Sequence, residues 1–178
     1  MKKTPNQLHQ SNYNTDSNLC QVYNPVFIGI DVGLSGGLAM IGEHREEAVV
    51  LPVPLVGKEY DIQSICHTLR SYKGTAVFCV IERAQPMRGQ GITSSFSFGK
   101  GYGIWLAILT GLGLSYQIVH SRVWTRVMLA GAPGVGKDRA LHVACRLFPA
   151  WQPQKKKDRQ LADCLLLAEY ARRISQGK

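Results

Sequence analysis

The chain has 178 residues, 45% of them apolar, and sets 21 Lys and Arg against 12 Asp and Glu for a formal charge of +9. That length suits one domain with a sizeable core, and the cationic excess favours a polyanionic partner, nucleic acid foremost. No run is long and apolar enough to span a bilayer, no repeat recurs, and the five cysteines are scattered without metal-ligand spacing, which argues against a membrane span, a solenoid and a zinc module and points to reduced thiols.

Residues 1–24 are polar and rich in Asn and Gln, with no apolar run after Lys2 and Lys3; they read as a disordered tail rather than a secretory signal. The folded domain is expected over residues 25–178. "VFIGIDVG" opens it as a buried strand ending at Asp31, and "GGLAMIG" and "EAVVLPVP" read as two further strands of an antiparallel meander, turning at 43–46. "YDIQSICHTLRSY" places Ile62, Ile65, Cys66 and Leu69 on one helical face, and "TAVFCVIE" returns as a buried strand ending on Glu82, which implies a crossover. Residues 83–101 read as a long Gly, Ser and Arg loop, followed by an apolar helix over "YGIWLAILTGLG". "SYQIVH" fits a short strand, "SRVWTRVMLAG" a helix begun by Ser121, and "DRALHVACRLF" a helix capped by Asp138. "DRQLADCLLLAEYARR" closes the chain as a helix with Leu161, Leu165 and Ala168 towards the core. The predicted class is α/β, a mixed five-stranded sheet in the order βββαβαβαα with helices on both faces.

Two strands expected at the sheet centre end in acids, Asp31 and Glu82. Adjacent carboxylates repel, and a divalent cation between them relieves the repulsion. Asp158 and Asp163 in "KKKDRQLAD" are further candidates, although Asp158 also fits a helix cap, Asp31 a turn and Glu82 an exposed ion pair with Arg83. A carboxylate at Asp163, one turn into an apolar helix, is costly unless paired or metal-bound. On an ideal helix a spacing of five sets side chains about 140° apart, so both aspartates reach one centre only if Asp158 lies at or before the cap.

"GAPGVGKD" has the outline of a phosphate-binding loop of nucleotidases. Asp138 stands where such a loop needs a Ser or Thr hydroxyl for magnesium, the preceding segment reads as an amphipathic helix rather than a buried strand, and only forty residues follow. A nucleotide cofactor is therefore not expected, and the role of Lys137 stays open at this point.

Together, "IGIDVGLSGGLAMI", "VIERAQPMRGQG", "SFGKGYGIW", "VWTR", "GVGKD" and "KKKDRQLADCLLLAEYARR" resemble the RuvC-type Holliday junction resolvases of the RNase H-like superfamily, most closely their plastid and phage-like branch. The resemblance runs from about Val26 to Arg173. It implies an RNase H-like nuclease domain acting as a homodimer that cuts four-way DNA junctions symmetrically to ligatable ends, using two magnesium ions, with manganese as a substitute. By position it implies metal ligation by Asp31, Glu82, Asp158 and Asp163, with Lys137 facing the scissile phosphate. It implies junction recognition by Arg83, Arg88, Gln90 and Lys100 on the backbone and by stacking of Phe96 or Phe98, with Arg126 and Lys155, Lys156 and Lys157 as further phosphate contacts. His120 and His142 read as structural, His142 with a minor claim to phosphate. A nuclease for other branched or hybrid nucleic acids, or a non-catalytic junction-binding module, fits the same residues. The compartment expected is the cytoplasm, at the nucleoid.

Overall fold

The computed structural model describes residues 24–45, 48–72, 75–85, 89, 91–153 and 156–177. The expected tail over 1–24 falls almost wholly outside them, as do Arg88, Gln90 and Lys155.

Three strands, β1 (Val26–Asp31), β2 (Gly37–Ile41) and β3 (Val49–Pro52), form the antiparallel meander. A short hairpin, β4 (Leu55–Val56) with β5 (Glu59–Tyr60), follows and leads into helix α1 (Ile62–Arg70). Asp61 caps α1, its carboxylate accepting the Ser64 backbone N–H at 3.0 Å. Ile65 and Leu69 are buried on the expected face, while Ile62 is 46% exposed. Strand β6 (Val77–Glu82) then pairs parallel to β1, and after helix α2 (Ile92–Gly111) strand β7 (Ser115–Val119) pairs parallel to β6. The sheet order is β3-β2-β1-β6-β7, which makes the two acid-terminated strands β1 and β6 central neighbours. Their register aligns Ile30 with Ile81, so Asp31 and Glu82 come next on each strand at the same edge.

Alternation along the strands feeds two cores. Ile28, Ile30, Leu38, Met40, Cys79 and Ile81 pack under α1 and α2 with Ile65, Leu69, Trp105 and Leu109. Phe27, Ala39, Ile41, Val80 and Val119 face the other way, against helices α3 (Ser121–Met128), α4 (Gly136–Leu147) and α5 (Ala162–Ser175). Helices therefore cover both faces, as a mixed sheet with parallel central strands requires. Helix α5 is buried from Ala162 to Arg172 apart from Asp163. It lies directly on β1, where Gly29 leaves no room for a Cβ.

The structure corrects four expectations. Residues 92–101 are not loop: α2 begins at Ile92 and takes in Phe96, Phe98 and Lys100. Glycine and serine are poor helix formers, but packing of Phe98, Tyr102, Trp105 and Leu109 on the core outweighs local propensity. Helix α4 begins two residues before Asp138, with Val135 at the cap, and Asp138 occupies the first turn, where a carboxylate still favours the helix dipole. Asp158 lies in a 3-10 turn, Lys156–Leu161, rather than capping α5. Three helices follow β7, as the segments read one by one, so the βββαβαβαα order is one helix short, and the β4–β5 hairpin was not anticipated because each strand holds only two residues.

Candidate active site

Asp31, the last residue of β1, is half-buried. Burial raises its pKa, opposed by the Lys137 ammonium and by hydrogen bonds from the backbone N–H groups of Gly33 and Val32. Glu82, the last residue of β6, is pushed up to about 7 by burial and by the charges of Asp31 and Asp163, against a hydrogen bond from Trp124. Its Oε2 accepts the indole N–H of Trp124 at 2.9 Å. Asp163, the second residue of α5, rises to about 6 through burial and the charge of Asp31, again opposed by Lys137. The three acids come from three separate elements; Asp31 raises the pKa of both Glu82 and Asp163, and Asp163 raises that of Glu82, which defines one cluster at the end of the central strand pair.

Lys137, the second residue of α4, is exposed and acts on both Asp31 and Asp163. With Glu82, Trp124, Asp163, Ser121 and Arg139 it lines a cavity of about 310 Å³. Gly134 and Gly136 on its approach adopt left-handed backbone, φ 91° and 54°, which lets the chain turn sharply into α4. A larger concavity of about 960 Å³ lies elsewhere, beside Arg45, Trp151 and Arg172, and holds none of the candidate acids.

The donor set suits a hard divalent cation: carboxylate oxygens only, partly desolvated, with mutual repulsion that a cation would offset. As the side chains stand, no three His, Cys, Asp or Glu among the described residues close on a single point. Glu82 is instead held by Trp124. Asp158 precedes the α5 cap, as its participation requires, but it is not among the charges that shift Asp31, Glu82 or Asp163.

The recognition residues are dispersed. Arg83 is exposed just beyond β6, its guanidinium 3.2 Å from Nε2 of His120. Phe96 is 73% exposed on α2, whereas Phe98 packs on the core. Lys100 pairs with Glu59 of the hairpin. Arg126 is exposed on α3 and does not line the cavity, and His142 is exposed on α4. Lys156 and Lys157 belong to the 3-10 turn before α5. Sequence reasoning missed Trp124 and Arg139. For Trp124 there was a signal: an indole on the apolar face of "SRVWTRVML" carries a buried N–H that needs an acceptor.

No family profile matches the sequence. The chloroplastic Holliday junction resolvase of Chlamydomonas reinhardtii is 35% identical over 99 residues, 54% of this chain and 11% of that protein. The chain thus aligns with only a small part of that relative. Thermus thermophilus RuvC superposes with a TM-score of 0.60 at 18% identity, covering 85% of this chain and 96% of that one. The structure of T. thermophilus RuvC in complex with Holliday junction substrate gives 0.55 at 18% identity, over 83% and 94%. The chain therefore has the RNase H-like fold of RuvC, and its sequence is similar to that of a plastid junction resolvase.

Proposed function

We propose that this protein is a metal-dependent endonuclease that resolves four-way DNA junctions by symmetric nicking. The observation that carries the reading is the convergence of Asp31, Glu82 and Asp163 from three elements, with Lys137 beside them, at the end of the central strands. The junction as substrate is supported by the names of the sequence relative and of the RuvC complex.

Asp31, Glu82 and Asp163 would hold the cation, with Asp158 as an added ligand from the 3-10 turn. Bound there, magnesium, two ions per site in this reading with manganese as substitute, would supply Lewis acidity for phosphoryl transfer. The protein's own part is electrostatic and positional. Lys137 presents a fixed positive charge where the phosphate gains negative charge on attack. Once ionised, the carboxylates repel an incoming phosphate unless their charge is offset, which ties cleavage to the loaded state. Arg83, Arg88, Gln90, Lys100, Arg126 and Lys155–Lys157 would bind backbone phosphates, and Phe96, already exposed, would stack on an unpaired base at the crossover.

Symmetric nicking requires two sites, and hence a homodimer. No helix among the described residues is long and apolar enough to cross a membrane. A DNA-bearing compartment is required by the substrate: the nucleoid of a cytoplasm is the sequence-based expectation, and a plastid is the compartment named for the relative. A panel of labelled four-way junction, flap, duplex and RNA–DNA hybrid, each with magnesium, tests the reading. Paired nicks confined to the junction support it, and preferred cutting of flap or hybrid replaces it with another nuclease of this fold.

A further inference from the structure

Arg83 is exposed at the carboxyl end of β6, where its backbone N–H donates to the Val119 carbonyl of β7 at 2.8 Å. It directly follows Glu82, and successive residues of a strand face opposite sides of the sheet. Glu82 accordingly meets Trp124 of α3, whereas the Arg83 guanidinium lies towards α2, where its charge opposes the rise that burial gives the Tyr102 pKa. Arg83 thus stands at the same sheet edge as the acid cluster, on the other face.

Nη1 of Arg83 is 3.2 Å from Nε2 of His120. A guanidinium carries donors only, so the ring nitrogen accepts, which assigns His120 as the neutral tautomer with its proton on Nδ1. His120 is the N-cap residue of α3, yet its side chain makes no capping bond, and it is exposed rather than packed in either core. Capping and packing therefore do not explain it.

The bond through Nη1 leaves the Nε–Nη2 edge of the guanidinium, the parallel pair of N–H groups that takes an oxyanion bidentately. The molecule uses that edge twice elsewhere: Arg45 and Arg172 each bind Glu169 through Nε and Nη2. No carboxylate among the described residues pairs with Arg83. Its fork is exposed, held from one side, and without an oxyanion.

We propose that His120 is a positioning residue for Arg83: by occupying Nη1 it presents the Nε–Nη2 fork to a backbone phosphate of the junction, next to the phosphate that meets the acids. The inference deepens the junction-nuclease reading and rests on it.

The test measures binding of a labelled four-way junction without metal, and its cleavage in magnesium, for wild type, Arg83→Ala, His120→Ala, His120→Gln and the double variant Arg83→Ala with His120→Ala. Thermal unfolding is followed alongside. Arg83→Ala is expected to weaken binding about 10- to 100-fold and to lower the salt dependence by about one phosphate contact. His120→Ala should weaken binding about 3- to 10-fold and raise KM at unchanged kcat, because a contact made equally in ground and transition state is uniform binding. His120→Gln, whose Oε1 can accept from Nη1, should bind as wild type. In the double variant the His120→Ala loss should vanish, since His120 acts through Arg83. Additive losses in the double variant overturn the proposal, as do equal losses in His120→Ala and His120→Gln, a fall in kcat rather than a rise in KM, or wild-type binding by either alanine variant. A wild-type protein that neither binds nor cuts junctions defeats the nuclease reading itself and this inference with it; one that does both while the variants match it defeats this inference alone.

Discussion

Gly29 of β1 and Ala168 of α5 meet backbone to backbone: a Cβ added at Gly29 would lie 2.2 Å from the Ala168 nitrogen and 2.1 Å from the Cys164 carbonyl oxygen. This contact lets α5 lie flat on the central strand two residues before Asp31, and it brings Asp163, at the start of α5, to the end of that strand. Neither neighbour is a side chain that can turn aside. Gly29→Ala must therefore displace the helix, and it is expected to cost about 3 kcal/mol or more, beyond ordinary overpacking. Thermal or urea unfolding checks this; a loss under about 1 kcal/mol would show that α5 yields easily.

The acid cluster makes stability depend on pH and on divalent cations. Glu82 and Asp163 have folded pKa values near 7 and 6, above the ordinary carboxylate range. Folding then favours the protonated acids, so their contribution is complete at about pH 4 and declines as pH rises through about 7. Without divalent cation the unfolding midpoint should fall between those pH values, and magnesium or manganese should restore it at the upper end. Asp163→Asn should flatten the decline; an unchanged slope would place Asp163 away from the cluster.

Glu169 has the opposite dependence. It is fully buried, and although burial opposes its charge, bonds from Arg172, Arg45 and Arg173 bring its pKa down to about 2. Its stabilisation is complete above the ordinary glutamate value of about 4.5 and is lost as pH falls towards 2. Glu169→Gln leaves three arginines facing a neutral amide and should cost about 3 kcal/mol near neutral pH. The same variant should lose less stability on acidification than wild type, measured as the change in unfolding midpoint from about pH 6 to about pH 3.

Lys137 acts on both Asp31 and Asp163, its charge opposing the rise that burial gives their pKa values. Lys137→Ala should reduce kcat for junction cleavage by about 100- to 1000-fold, the range for loss of one preorganised donor to a developing charge. It should also move the acid limb of the pH–rate profile upward, because the carboxylates then ionise later. A variant with wild-type kcat would reduce Lys137 to a solvated surface charge.

The fold was largely legible because its strands are short apolar runs punctuated by glycine, and because the two central ones end on acids that belong at a sheet edge. Asp31 and Glu82 could be paired from sequence alone once strand, helix, strand implied a parallel neighbour. The N-terminal half of α2 was not legible: "ITSSFSFGKG" has loop composition, and its helix exists through the core beneath Phe98 and Tyr102. The convergence of Lys137 with Asp163 was legible only through the family resemblance, because it depends on how α4 and α5 pack on one another, a tertiary relation with no period in the chain. Trp124 lay between the two, visible as a buried indole but with its acceptor set by the alignment of β7 on β6.

Cleavage of an end-labelled mobile four-way junction in magnesium, with Asp31→Asn and a linear duplex of the same sequence alongside, tests the central claim most directly. The account predicts paired symmetric nicks by the wild-type protein, none by Asp31→Asn, and an intact duplex. A junction bound tightly with or without metal yet left whole, or one cut equally well by Asp31→Asn, would contradict it.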